Sequence, residues 1–407
     1  MKVQLAKDLQ DSPDGRVAAD IVRSCVHCGF CTATCPTYQV FGDELDGPRG
    51  RIYLIKEVLE GVQPSERTQL HLDRCLTCRA CETTCPSGVQ YGRLIDIGRR
   101  IVEEKVDRSW GSRLKRAALK RGLTGSLFGP ALGFGRWVRP LLPQTLRRKI
   151  PVRRSEVPSV RGRTHARRML LPPGCVQPSL APEIDAATAY VLDALQIEAV
   201  TPRPACCGAL RHHLGDDALD EIRRTIDSWW PHIEGGVEAI VMNASGCAAM
   251  VKEYAYLLRH DTAYASKAAR IAELTRDLAE VLPAHVERLA QQVSRREERV
   301  VFHPPCTLQH AQRVRGAVEN ILEALGAVVL PCADSHLCCG SAGTYSILQP
   351  AVAEELRDRK LEALQLTRPD VILSANVGCI VHLGGAAAIP VRHWIEWIAA
   401  RLPAREA

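Results

Sequence analysis

Aromatic residues are scarce: five Phe, six Trp and eight Tyr make up 5% of 407 residues. So few rings leave little for a surface that stacks nucleic-acid bases. There is no Rossmann fingerprint, phosphate loop or nucleophile elbow, so hydride chemistry must come from elsewhere. Long apolar runs are missing too. Val371 to Val391 is uncharged but holds Asn376, His382, three glycines and Pro390, and it parses as a strand, a loop and a short helix rather than a membrane span. The opening MKVQLAKDLQDSPDGR has no apolar core of the kind a secretory signal needs.

Charge is uneven rather than absent. The net +7 divides into −2 over residues 1–98, +16 over 99–168 and −7 over 169–407. The abundant residue is cysteine, with seventeen copies. An odd number, in a chain expected to stay in a reducing compartment, points to metal ligands rather than a disulfide framework.

Eight of the cysteines form a repeated pattern. Cys25-x-x-Cys28-x-x-Cys31-x-x-x-Cys35-Pro36 recurs as Cys75-x-x-Cys78-x-x-Cys81-x-x-x-Cys85-Pro86. Two-residue gaps wrap three thiolates around one iron–sulfur cube, and the fourth cysteine reaches across to the other. By that logic Cys25, Cys28, Cys31 and Cys85 hold one 4Fe–4S cluster, and Cys75, Cys78, Cys81 and Cys35 hold the second. Structural zinc is the alternative, but it leaves each third cysteine and each Cys-Pro unexplained. Between the motifs, Ile52, Leu54, Ile55, Val58 and Leu59 are spaced for a helix packed on a core. Arg49 and Arg51 are open to two readings, donors to cluster sulfurs or a partner surface, or ordinary solvated or capping residues.

Residues 99–164 read as a basic connector containing Pro and Gly. Arg136, Arg139, Arg147, Arg148, Lys149, Arg153 and Arg154, with Phe128, Phe134 and Trp137, suit peripheral contact with anionic lipid. Subunit docking or a plain linker is the other reading. The prolines at 130, 140, 143, 151 and 158 preclude one long helix.

The other nine cysteines contain a duplication. Cys175, Cys206-Cys207-Gly208 and Cys247 match Cys306, Cys338-Cys339-Gly340 and Cys379 at offsets of 131 or 132 residues, and Cys332 falls outside as a small buried residue. Strands and helices alternate in each copy, predicting two α/β lobes with mainly parallel sheets whose outer cysteines follow the carboxyl ends of strands. Adjacent cysteines on a regular strand face opposite ways. A glycine after them permits a positive φ that swings both thiolates to one side. A vicinal disulfide or two buried thiols is the alternative. The expected organisation is therefore α+β: a helical dicluster ferredoxin domain (1–98), the connector (99–164) and two CCG lobes (165–298 and 299–407).

The N-terminal module resembles the α-helical ferredoxin of succinate dehydrogenase and heterodisulfide reductase, and 165–407 resembles the CCG domains of heterodisulfide reductase and related proteins. In that family each domain ends in CxxC around a non-cubane cluster. Here Cys247 is followed by Ala-Ala-Met and Cys379 by Ile-Val-His. Each lobe thus offers four cysteines, suited to a cubane, a mononuclear iron or zinc, or no permanent metal. The strings CVHCGFCTATCPTYQVFGDELDGPRGRIYLIKEVLEG, HLDRCLTCRACETTCPSGVQYGRLIDIGR and DSHLCCGSAGTYSILQP resemble the iron–sulfur subunit of bacterial glycolate oxidase (glycolate dehydrogenase), essentially end to end. The resemblance implies an electron relay without a flavin or NAD site of its own. Flavin-binding partner subunits would oxidise glycolate, or D-lactate, and electrons would pass to a quinone or another acceptor. It also implies a cytoplasmic location, in contact with the inner membrane or free of it. The iron–sulfur subunit of anaerobic glycerol-3-phosphate dehydrogenase or of a lactate-oxidising complex, and a thiol–disulfide reductase, are the alternatives. His27, His303, His336 and His382 neighbour cysteines and could tune clusters, although structural histidines are the commoner case.

Overall fold

The protein is described from a computed structural model covering residues 1–125, 127–141 and 163–403. Arg147, Arg148, Lys149, Arg153 and Arg154 lie outside the described residues. The chain forms two compact units. The first gathers 1–120, 210–217 and 336–360, and the second holds the rest.

The first unit is helical. Helix α1 (Pro13–Ser24) starts where the Ser12 hydroxyl accepts the Gly15 N–H at 3.2 Å, with Pro13 in the first turn; both satisfy the free end of a helix. Helix α2 (Pro48–Leu59) is the expected connector helix. Helix α3 (Glu66–Asp73) opens with a Ser65–Thr68 capping box, and α4 runs from Tyr91 to Lys105, through the expected domain boundary at 98. Ile52, Ile55, Val58 and Leu59 pack with Leu94, Ile95, Ile101 and Val102 of α4 and Ala18, Ala19 and Val22 of α1. Burying the Ile, Leu and Val side chains of this set, at about 1.5–3 kcal/mol each, supports cysteine loops that are short of regular structure. Gly50 lets α2 lie on the turn Glu44–Asp46, since a Cβ there would sit 2.1 Å from the Glu44 carbonyl oxygen.

The second unit holds two four-stranded parallel sheets with the same strand order. β1 (Arg167–Leu170), β2 (Ile197–Val200), β3 (Ala239–Met242) and β4 (Thr275–Asp277) run in the order β2-β1-β3-β4. β5 (Arg299–His303), β6 (Val328–Leu330), β7 (Val371–Ser374) and β8 (Val391–His393) run in the order β6-β5-β7-β8. The central AIVM and VILS strands are buried throughout, as parallel sheets covered on both faces require. The expected three strands per lobe are present, and each sheet has a fourth. TRD and VRH are too short and too polar to read as strands. Each ends in the cap of the next helix: Asp277 accepts the Ala279 N–H, and His393 Nδ1 accepts the Ile395 N–H.

The lobes meet at their duplicated turns. Ser245 N–H donates to the Ala375 carbonyl at 3.1 Å, and Gly246 N–H reaches Asn376 Oδ1 at 3.4 Å. In the connector, helices Trp110–Thr124 and Phe128–Val138 replace a single long one, with Pro130 in the first turn of the second. No helix among the described residues is long and apolar enough to cross a membrane.

Candidate iron–sulfur centres

The two N-terminal motifs share one unusual backbone. In each, the third and fifth positions are left-handed: His27 (φ 59°) and Gly29 (86°) in the first, Thr77 (53°) and Arg79 (60°) in the second. Three of these four are not glycine. Such conformations cost energy and persist where the surroundings impose them. In the second motif the reversal turns the Thr77 N–H toward Cys75 Sγ, at 3.4 Å.

Two neighbouring cavities result. Cys25, Cys28, Cys31 and Cys85 line the first, with Arg49 and Cys81. Cys35, Cys75, Cys78 and Cys81 line the second, with Thr37 and Arg51. Pro48, Cys81 and Tyr91 belong to the walls of both. Cys28 is exposed between the exposed side chains of Val26 and Phe30, whereas Cys35, Cys75 and Cys81 are buried. Burial, then the neighbouring Cys25, pushes the Cys31 thiol up to about 11. Cys81 is pushed well above the usual thiol value by burial and by Cys78, Cys75 and Cys35. Thiolates so crowded repel one another unless a polycationic centre lies among them. An all-sulfur donor set with this crossing pattern fits a 4Fe–4S cube, a centre that supplies reversible one-electron storage when bound.

Several polar residues that sequence reading did not single out support the second cavity. The Tyr91 hydroxyl donates to Cys75 Sγ at 3.6 Å, and the Thr37 hydroxyl lies 3.3 Å from Cys35 Sγ. Arg99 donates to the carbonyls of Leu72 (2.9 Å), Cys75 (2.5 Å) and His213 (3.1 Å) and to the Thr77 hydroxyl (2.8 Å). It thereby ties the cluster loop to the segment that follows the first CCG. On that segment His212 and His213 meet the buried Asp96 at 3.3 and 3.1 Å. Burial opposes the Asp96 charge, yet the two imidazoles hold it well below the usual carboxylate range. Tyr345, a little beyond the second CCG, donates to the Arg74 carbonyl at 3.1 Å. None of these residues belongs to a spacing pattern, so only the fold brings them to the site.

In the first lobe, Cys175, Cys206, Cys207 and Cys247 come together. Cys207 is within hydrogen-bonding reach of Cys206 and Cys247, and Cys175 of Cys206; these contacts and burial raise the Cys175 and Cys207 thiols. Gly208 has the expected positive φ of 86°, and Gly340 has 87°. Tyr254 secures the first turn by donating to the Cys207 carbonyl at 2.9 Å. The second set divides between the compact units, with Cys338 and Cys339 in the first and Cys306 and Cys379 in the second. Gly340 N–H donates to Cys338 Sγ at 3.4 Å, and the Asn376 amide donates to Cys379 Sγ at 3.6 Å. Among the described residues no cysteine is joined in a disulfide, the adjacent pairs included. Cys332 is not buried as expected: it sits part-exposed in the loop after β6, where no core reaches it. His303 is buried within 4.8 Å of Cys379 Sγ, and His27 is exposed beside Cys28.

The architecture and the thiol sites define an iron–sulfur electron carrier, a dicluster module joined to two cysteine-rich lobes. Family models agree: a 4Fe-4S dicluster domain matches residues 21–89, and a cysteine-rich domain matches 170–252 and again 300–384. The chain is 50% identical over 403 residues to the glycolate oxidase iron-sulfur subunit of Escherichia coli (strain K12), covering 97% of this chain and 98% of that one. It is 30% identical over 412 residues to the probable glycolate oxidase iron-sulfur subunit of Bacillus subtilis (strain 168), covering 93% and 91%. Lactate utilization protein A of Bacillus licheniformis is 28% identical over 218 residues, 52% of this chain and 88% of that one. The chain belongs to the glycolate oxidase iron–sulfur subunit family.

Proposed function

We propose that this chain relays electrons inside a complex whose flavin-bearing partner oxidises glycolate, passing them one at a time toward a quinone or similar acceptor. In this reading Cys25, Cys28, Cys31 and Cys85 ligate one 4Fe–4S cluster, and Cys75, Cys78, Cys81 and Cys35 ligate the other. The observation that carries it is the pair of thiol-lined cavities sharing Cys81 and Tyr91 as wall, one opening beside Cys28. Adjacent cavities suit electron hopping, and the exposed thiol suits exchange with a partner. The cofactors carry the electrons while the protein sets their spacing and potential. Cys175, Cys206, Cys207 and Cys247 form a further proposed metal site, and Cys306, Cys338, Cys339 and Cys379 are the matching candidates of the second repeat by sequence alone. Phe134 and Trp137, exposed on the Phe128–Val138 helix, support peripheral contact with the cytoplasmic face of a membrane.

Anaerobic purification from the native host, followed by assay with glycolate, D-lactate and glycerol 3-phosphate, tests the substrate. Glycolate-dependent reduction of the chain's clusters is the expected result. Reduction by glycerol 3-phosphate alone would overturn it. The lactate utilization relative supports D-lactate as a second substrate of the same complex.

A further inference from the structure

Arg51 carries a buried charge beside the second cysteine cavity. Its side chain is 1% exposed. Nε donates to the His71 carbonyl at 2.7 Å, Nη1 to the Thr37 hydroxyl at 3.1 Å and Nη2 to Asp46 Oδ1 at 3.3 Å. Asp46 is fully buried and is shared: Arg74 Nη1 reaches its Oδ2 at 2.8 Å, and His71 Nδ1 lies 3.1 Å from its Oδ1. Asp43 brings a second carboxylate within 4.8 Å of Asp46 and His71, so the two guanidinium groups are matched within this cluster. The Arg51 guanidinium nevertheless stands in the wall of the cavity lined by Cys35, Cys75, Cys78 and Cys81, buried where its field reaches a thiolate-ligated cluster with little screening by water. The first cavity is arranged differently. Arg49 is 34% exposed and is paired with Glu44 at 2.5 Å, so its charge is both cancelled and screened.

We infer that Arg51 is a positioning residue for electron flow, holding the potential of the inner cluster above that of the outer one, so that an electron received at the Cys28 face moves inward. The inference rests on the ligand sets proposed above. The step is a simple one: a four-thiolate 4Fe–4S cube passes from a net charge of −2 to −3, no bond is made or broken, and the electron comes from the reduced flavin of the partner. A fixed cation beside the inner cube stabilises the more negative state more than the less negative one. The Tyr91 and Thr77 donors to Cys75 act in the same direction, because hydrogen bonds to cluster sulfurs also raise the potential.

EPR-monitored redox titration of the full, cluster-loaded chain tests this, with Cys28→Ser used to assign the outer signal. In Arg51→Gln the ratio of reduced to oxidised inner cluster at the wild-type midpoint should fall at least tenfold, a shift of about 59 mV for a one-electron couple. The outer cluster should titrate as before, and Arg51→Lys should restore most of the ratio. Should Arg51→Gln fail to fold, Arg74→Gln, at a partly exposed site, removes one charge from the same group and should shift the ratio in the same direction. Full loading with an unmoved inner titration in the folded variant overturns the inference. A wild-type chain bearing a single cluster refutes the ligand sets themselves, which is a separate result.

Discussion

The hydroxyl of Tyr91 points at the sulfur of Cys75 across 3.6 Å, from a side chain that walls both cysteine cavities. Tyr91 opens helix α4, so the helix that closes the core also brings a donor to Cys75, a ligand in the proposed inner set. Tyr91→Phe should leave the fold intact, since the ring stays in place, and should lower the inner midpoint by less than the loss of Arg51 does. Redox titration of that variant checks it, and an unchanged midpoint would assign the hydroxyl to packing alone.

Cys28→Ser removes the only ligand candidate of the first set that is exposed. The chain should fold and lose one cube, with iron falling by about four atoms and one EPR component disappearing. In the complex proposed above, reduction of the partner's flavin by substrate should persist while electron flow to acceptor stops. Full turnover in that variant would count against the relay.

Gly340 holds φ at 87°, and an added Cβ would lie 2.6 Å from the Ala353 carbonyl oxygen. Gly340→Ala should therefore cost about 1–3 kcal/mol and disturb Cys338 and Cys339. Thermal unfolding and metal content of the purified variant measure the two effects separately.

Asp96 is an ionised carboxylate clasped by His212 and His213. Its folded pKa is depressed, so its contribution is complete above the unfolded value and lost as pH falls through the folded one. Burial lowers the His213 pKa, so at pH 7 this contact is chiefly hydrogen bonding, and Asp96→Asn should destabilise the chain by about 1–3 kcal/mol. Amide exchange over 209–217 should quicken more than elsewhere; uniform quickening would place the effect in the α4 core instead.

Asp185 has the opposite sign. Burial pushes its carboxyl up to about 6, against hydrogen bonds from the Asn243 and Gln177 amides. Between the unfolded value and that pH the folded state binds more protons, so stability falls as pH rises and the penalty is complete above about 6. Asp185→Asn keeps the shared Oδ1 acceptor and should stabilise the chain at pH 8 by about 1–3 kcal/mol. The gain should shrink by about half at pH 5, as thermal melts at the two pH values would show.

The sequence carried its message through spacing. Repeated Cys-x-x-Cys intervals, the Cys-Pro endings and the 132-residue duplication set the domain types and the candidate ligands, because reach along a chain limits which thiolates can enclose one cube. The α2 stripe and the strand–helix alternation were legible for a similar reason, since apolar periodicity reports the buried face. Tertiary structure alone decided which charges and donors face those thiols. Arg51 could not be told from a capping residue until its guanidinium was seen shared among His71, Thr37 and Asp46. Asp96 and His213, 117 positions apart, carry no mutual signal at all. Folding supplies such pairs by burying distant segments together, where low polarity makes each remaining charge count, and no local pattern encodes that.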